Sequence, residues 1–181
     1  MKKSVYFVVT LVAMLSVALA ACGGTPQPVP TAETMSEEGG NGDGGITGPP
    51  AATVQLGVQD DKLAFDTNTL EVTIAEGDVL AVQLNNASQT RNHSFVLLNT
   101  TDMEEADAYV KAAAEAGANN LFVPTDPAMQ ELALGEQVYT VPGETGEALL
   151  LAPAPGDYLF VSTVPGSFAA GMHGTLTVKA P

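Results

Sequence analysis

The chain has 181 residues, with six Lys and Arg against 21 Asp and Glu and a formal net charge of −15. So few cations cannot neutralise a run of phosphates, which excludes nucleic acid as a partner. Cys22 is the single cysteine, so no internal disulfide can form and stability must come from packing.

The first predicted element is an address. Lys2 and Lys3 precede an apolar run over residues 4–21 that ends in small residues, the pattern of a secretory signal peptide. Leu19-Ala20-Ala21-Cys22-Gly23 resembles the lipobox of bacterial lipoproteins, which implies that residues 1–21 are removed and Cys22 is diacylated. A plain signal peptide or an uncleaved N-terminal anchor is the alternative. Two acyl chains give durable membrane attachment. Residues 22–52 then read as the lipidated Cys followed by a flexible Gly-, Pro- and acid-rich linker. Loss of Lys2 and Lys3 leaves four basic residues against 21 acids, net −17. Anionic lipid repels such a surface, so the membrane is a partner only through the N-terminal lipid. A basic protein partner or plain solubility suits the acidic exterior. The expected location is the outer face of the cytoplasmic membrane or the outer membrane, since Gly23 is not an acidic retention signal.

From residue 53 to 181 the chain reads as one domain of about 130 residues, enough for its own core. Short alternating or β-rich runs follow one another: 54–58, 63–66, 69–74, 79–84, 93–98, 137–141, 148–151, 158–163 and 175–178, with Gly, Pro, Asn or Asp between them. Seven to nine such strands argue an all-β, Greek-key β-sandwich. One stretch differs. Met103–Ala116 is Ala-rich, with Glu104 and Glu105 where a helix dipole favours acids, and Gly117 follows as a stop. Thr101 with Glu104, or Asp102 with Glu105, is the expected cap. Residues 118–136 are expected to be loop, making a helix-bearing insertion at about 101–136.

The C-terminal run from Gly156 through Tyr158, Ser162-Thr163-Val164-Pro165-Gly166-Ser167 and Met172-His173-Gly174-Thr175-Leu176 resembles the last two strands and copper loop of the blue copper proteins of auracyanin and azurin type. Their pattern is Gly-x-Tyr-x-x-x-Cys-Thr-x-Pro-Gly-His, then Met-x-Gly-x-Leu four or five residues later. The spacing to Met172 matches the auracyanin form. Leu63-Ala64-Phe65-Asp66, Leu70-Glu71-Val72 and Asn92-His93-Ser94-Phe95-Val96-Leu97 resemble the family's earlier strands. The resemblance covers residues 53–181 and implies the cupredoxin fold and an electron-transfer lineage.

The resemblance also implies a ligand set. Two imidazoles and a thiolate surround copper, with a thioether on the axis. His93 falls at the first histidine position and Met172 at the methionine position. Ser162 stands at the cysteine position and Ser167 at the second histidine position. A hydroxyl stays protonated near neutral pH and is a poor donor to copper. The expectation is therefore no bound cofactor, with copper as the alternative, held in a non-blue way by His93 and Met172. His173, next along a strand, should face away from Met172. Asp60-Asp61 and Glu104-Glu105 lack calcium-loop spacing and read as solvated surface.

Enzymatic activity is not expected, because neither Ser162 nor Ser167 has an acid placed to orient a base. The resemblance implies instead a partner-docking or accessory protein, with a membrane redox complex as a candidate partner. Its contact would be the apolar end formed by Val164, Pro165, Phe168, Ala169, Ala170 and Met172. Residual electron carriage, as in the family, is a further alternative.

Overall fold

The computed structural model of the chain describes residue 46 and residues 48–181. The expected signal peptide, Cys22 and most of the expected linker lie outside the described residues. The strands are β1 (Ala52–Gly57), β2 (Thr69–Thr73), β3 (Val79–Asn85), β4 (His93–Leu98), β5 (Val138–Thr140), β6 (Thr145–Leu151), β7 (Gly156–Val161) and β8 (His173–Lys179). One sheet has the order β1-β3-β6 and the other β2-β8-β7-β4-β5. β1 runs parallel to β3 and β2 parallel to β8, and the other pairs are antiparallel. This is the sandwich that the alternation predicts.

Why β4 and β7 lie centrally follows from their side chains. All six residues of β4 are buried. Phe95 and Leu97 point into the main core between the sheets, while Val96 and Leu98 point the other way into a second cluster. β7 divides likewise, with Phe160 in the main core and Leu159 and Val161 in the second. The second cluster is closed by Ala106 and Tyr109 of helix α1 (Met103–Ala116). The insertion thus covers the outer face of the five-stranded sheet. In the main core Phe160 stacks on Phe95 and meets Phe65 edge-on, both at 5.5 Å between centroids. Burial of one such ring contributes about 2–3 kcal/mol.

Two details differ from expectation, and the helix cap is one of the two residues expected. Residues 63–66 are not a strand. Phe65 makes only an isolated bridge with Val58, and the chain doubles back through bonds from Gln59 N to Ala64 O and from Asp66 N to Gly57 O. Helix α1 is capped by Asp102, whose carboxylate accepts from Glu104 N at 2.7 Å, while Thr100 rather than Thr101 receives the N–H of Asp102 at 2.9 Å. The stretch 118–136 is not all loop. It holds a 3₁₀ turn, Ala118–Asn120, and a short helix α2 (Pro127–Gln130) with Asp126 as cap and Pro at its start.

Candidate functional site at the end of the sandwich

The approach to His93 is built first. Asn86, fully buried just past β3, donates from Nδ2 to the carbonyls of Arg91 (2.9 Å) and Thr140 (3.3 Å) and accepts at Oδ1 from Ser88 N (3.1 Å). Asp61 accepts at one oxygen from Ser88 Oγ, Gln89 N and Thr90 Oγ1 at 2.7, 2.9 and 3.0 Å. Those donors, Ser88 foremost, hold the Asp61 carboxyl below its usual pKa. Residues 87–92 are thereby fastened, and they deliver His93 as the first residue of β4.

His93 is fully buried and pairs with Thr140 of β5, whose hydroxyl donates to the His93 carbonyl at 3.2 Å. Neither ring nitrogen has a hydrogen-bond partner among the described residues. Burial, and then the positive charge of Arg91, push the imidazole below its ordinary pKa, so it is neutral at pH 7. Ser162 follows β7 directly. Its N–H donates to the Met172 carbonyl at 3.0 Å, and its hydroxyl lies 3.3 Å from Ser94 Oγ. Ser167 sits in the turn after Gly166, whose φ of +84° suits glycine. The Ser167 carbonyl accepts from Met172 N at 2.9 Å, and its fully buried hydroxyl has no partner among the described residues. Met172 is fully buried and belongs to the main core. The positions 93, 162, 167 and 172 are thus joined at one end of the sandwich by β4, the end of β7 and the loop into β8.

A hydroxyl network surrounds Ser162. Thr163 Oγ1 donates to Gln137 Oε1 at 2.8 Å. With that proton committed, the 3.0 Å contact between Ser94 and Thr163 makes Ser94 the donor, and Ser162 in turn donates to Ser94. The chain of donors runs Ser162, Ser94, Thr163 and ends on Gln137 Oε1 as acceptor. Sequence reading did not single out Ser94, Asn86 or Gln137. The available signal was a serine inside a six-residue run otherwise suited to full burial.

Two placements bear on the other candidates. His173 is half-buried, its ring 5.2 Å from that of Phe168, in a cleft shared with Gln59, Asp66 and Asn68. Its chain neighbours, Met172 just before β8 and Gly174 within it, are buried, so it faces away from them as strand alternation requires. Of the expected apolar end, Pro165, Ala169 and Ala170 are exposed, and Val164 and Phe168 are half-buried. Met172 does not share that surface. The bond from its N–H to Ser167 O closes the loop and turns its side chain inward.

Chemically, these four positions offer one neutral imidazole, one thioether and two hydroxyls. No thiolate stands among them, and Ser162 Oγ is already engaged by Ser94. That donor set does not fit a blue copper centre, which needs the thiolate. Among the described residues no three His, Cys, Asp or Glu side chains are grouped to hold a metal ion.

A family model for copper-binding proteins of the plastocyanin/azurin family matches residues 52–179. Auracyanin-B of Chloroflexus aurantiacus is 35% identical over 155 residues, which are 84% of this chain and 63% of that protein. The chain therefore spans just under two thirds of that relative's length. Auracyanin-A of the same organism is 30% identical over 172 residues, 95% of each protein. The solved structure of auracyanin A, a "blue" copper protein of that green thermophilic photosynthetic bacterium, matches with a TM-score of 0.63 at 29% identity. The match takes in 70% of this chain and 98% of the solved one.

Proposed function

This chain belongs to the plastocyanin/azurin family of copper-binding proteins, an electron-transfer lineage, and from that premise we propose that it is a membrane-tethered lipoprotein whose domain keeps the family scaffold without a blue copper centre. It acts through its surface as a partner-docking or accessory protein rather than as an enzyme. The observation that carries this reading is the donor set: fully buried Ser162 and Ser167 where the resemblance implies thiolate and imidazole. Cys22, the one thiol of the chain, lies ahead of the linker and is taken by the lipid. The exposed Pro165, Ala169 and Ala170 beside half-buried Val164 and Phe168 support a protein contact at this end. The lipobox resemblance supports the tether and an extracytoplasmic location.

A second reading has its own support. His93 is buried with both nitrogens unpartnered, and the Ser167 hydroxyl is unpartnered too. Orphaned buried polar groups call for an occupant. A neutral imidazole with a thioether is a donor pair for Cu(I), so the same pocket would hold copper without colour. The test is to add Cu(II), and separately Cu(I), to residues 46–181, desalt, and measure retained copper with the visible spectrum. The proposal expects no retained copper. Stoichiometric colourless copper would establish the second reading, and an intense blue complex would overturn both.

A further inference from the structure

The structure carries a second site outside the positions related to copper. Residues 132–134 run beside β4 beyond the end of β5, through bonds from Asn99 N to Leu132 O and from Leu134 N to Leu97 O. Between this segment, helix α1 and residues 123–130 lies a cavity of about 370 Å³ lined by Tyr109, Val123, Gln130, Ala133, Gly135 and Gln137, with Glu136 also on its wall. Its size falls in the range of small-molecule sites.

The lining has a definite hydrogen-bonding character. Tyr109 is almost wholly buried, and its hydroxyl makes no hydrogen bond to any described residue. Burial pushes its pKa up to about 12, so it stays a donor. Gln130 and Gln137 spend amide N–H groups on the carbonyls of Pro124 (2.9 Å) and Leu121 (2.7 Å). The Tyr109 hydroxyl therefore stands in a largely apolar wall as a donor beside the second N–H of each amide, with a carboxylate at Glu136 to repel anions. Gln137 is also the terminal acceptor of the Ser162–Ser94–Thr163 chain, which links the cavity wall to Ser162 by hydrogen bonds.

We propose that this cavity binds a small, neutral, ring-containing apolar molecule bearing one carbonyl acceptor for Tyr109, and that occupancy is transmitted through Gln137 and Thr163 to Ser162. The ligand is recognised by apolar burial and a single hydrogen bond. The inference does not depend on whether the domain binds copper.

Residues 46–181 hold every described strand and both cores, and the solved auracyanin A chain is matched over 98% of its length by this same region, so the segment folds alone. The experiment titrates acetophenone into ¹⁵N-labelled residues 46–181, with ethylbenzene (no acceptor) and benzoate (anionic) as comparison probes. Acetophenone is expected to shift the amides of Ala133, Gly135 and Gln137 saturably and to bind about fivefold tighter than ethylbenzene, the worth of one hydrogen bond. Benzoate should bind more weakly than either. Tyr109→Phe should remove the preference for acetophenone over ethylbenzene. The amides of Ser162 and Thr163 should also shift, and should stop doing so in Gln137→Ala while Gly135 still responds. Three results would overturn the site: no saturable shift in the wild-type domain, equal affinity for the three probes, or an unchanged preference in Tyr109→Phe. Binding without any response at Ser162 and Thr163 would overturn the transmission.

Discussion

Gly174→Ala is expected to be among the costliest single-methyl additions in this domain. Gly174 pairs with Phe160 across β7 and β8. A Cβ built on it would lie 2.3 Å from the Phe160 ring tip and 2.4 Å from the Asn68 carbonyl oxygen. Neither neighbour gives easily. The ring is held by Phe65 and Phe95, and the Asn68 carbonyl accepts from Thr175 N at 2.9 Å. Overpacking of this kind costs about 1–3 kcal/mol, and displacing backbone places it at the upper end. Gly166→Ala is the contrast, since its φ is +84° but a Cβ there would meet nothing within 4 Å. That change costs only the left-handed penalty, about 1 kcal/mol. Urea unfolding of residues 46–181 measures both, with an unchanged m-value confirming that stability and not compactness moved. Phe160→Leu should partly relieve Gly174→Ala, giving a non-additive double-mutant cycle. The reasoning is refuted if Gly174→Ala lies within about 0.5 kcal/mol of wild type, the range of a neutral surface change.

Three more outcomes are expected. Asn86→Ala removes three side-chain hydrogen bonds from a buried position and should cost about 1–3 kcal/mol, with hydrogen exchange accelerated at residues 88–93 and little changed in β3. His93 has its folded-state pKa lowered from 6.5, so the unfolded state binds more protons between the two values. Its contribution is complete above about pH 6.5 and is lost as pH falls from there through the folded-state pKa. Urea midpoints from pH 7.5 to 5 should show that slope in wild type and lose it in His93→Gln, and identical slopes would refute the assignment. Tyr109→Phe leaves the packing of the second cluster in place and should alter stability by less than about 1 kcal/mol in urea, because no protein hydrogen bond is lost.

Much of this architecture was legible because alternation in a two-layer sandwich directly records which face is covered. The run 69–74 shows this, and so does the Ala-rich 103–116. Residues 63–66 misled because β-rich composition does not supply a partner strand, and Phe65 finds only Val58. Asp126-Pro127 did carry a helix-start signal, a cap residue followed by Pro, within a stretch otherwise read as loop. The site divides the same way. The family resemblance placed 162, 167 and 172 together, and that loop is local in the chain. The hydroxyl network was not legible, since Ser94 and Thr163 are 69 residues apart and Thr163 and Gln137 are 26 apart. Burial also separated residues that the sequence made alike. Ala169 and Met172 read as one apolar surface, yet Met172, held by backbone bonds to Ser167 O and from Ser162 N, is buried in the core.

The central claim is that the scaffold stands while the blue centre is absent, and one spectrum tests it most directly. Residues 46–181 and their Ser162→Cys/Ser167→His variant each receive one equivalent of Cu(II), and the visible absorption is recorded. The account expects the wild-type domain to stay colourless and the variant to turn intensely blue, because the loop already joins positions 162, 167 and 172 beside His93. A blue wild-type domain would contradict the account outright, and a folded variant that remains colourless would show that the scaffold itself no longer positions the ligands.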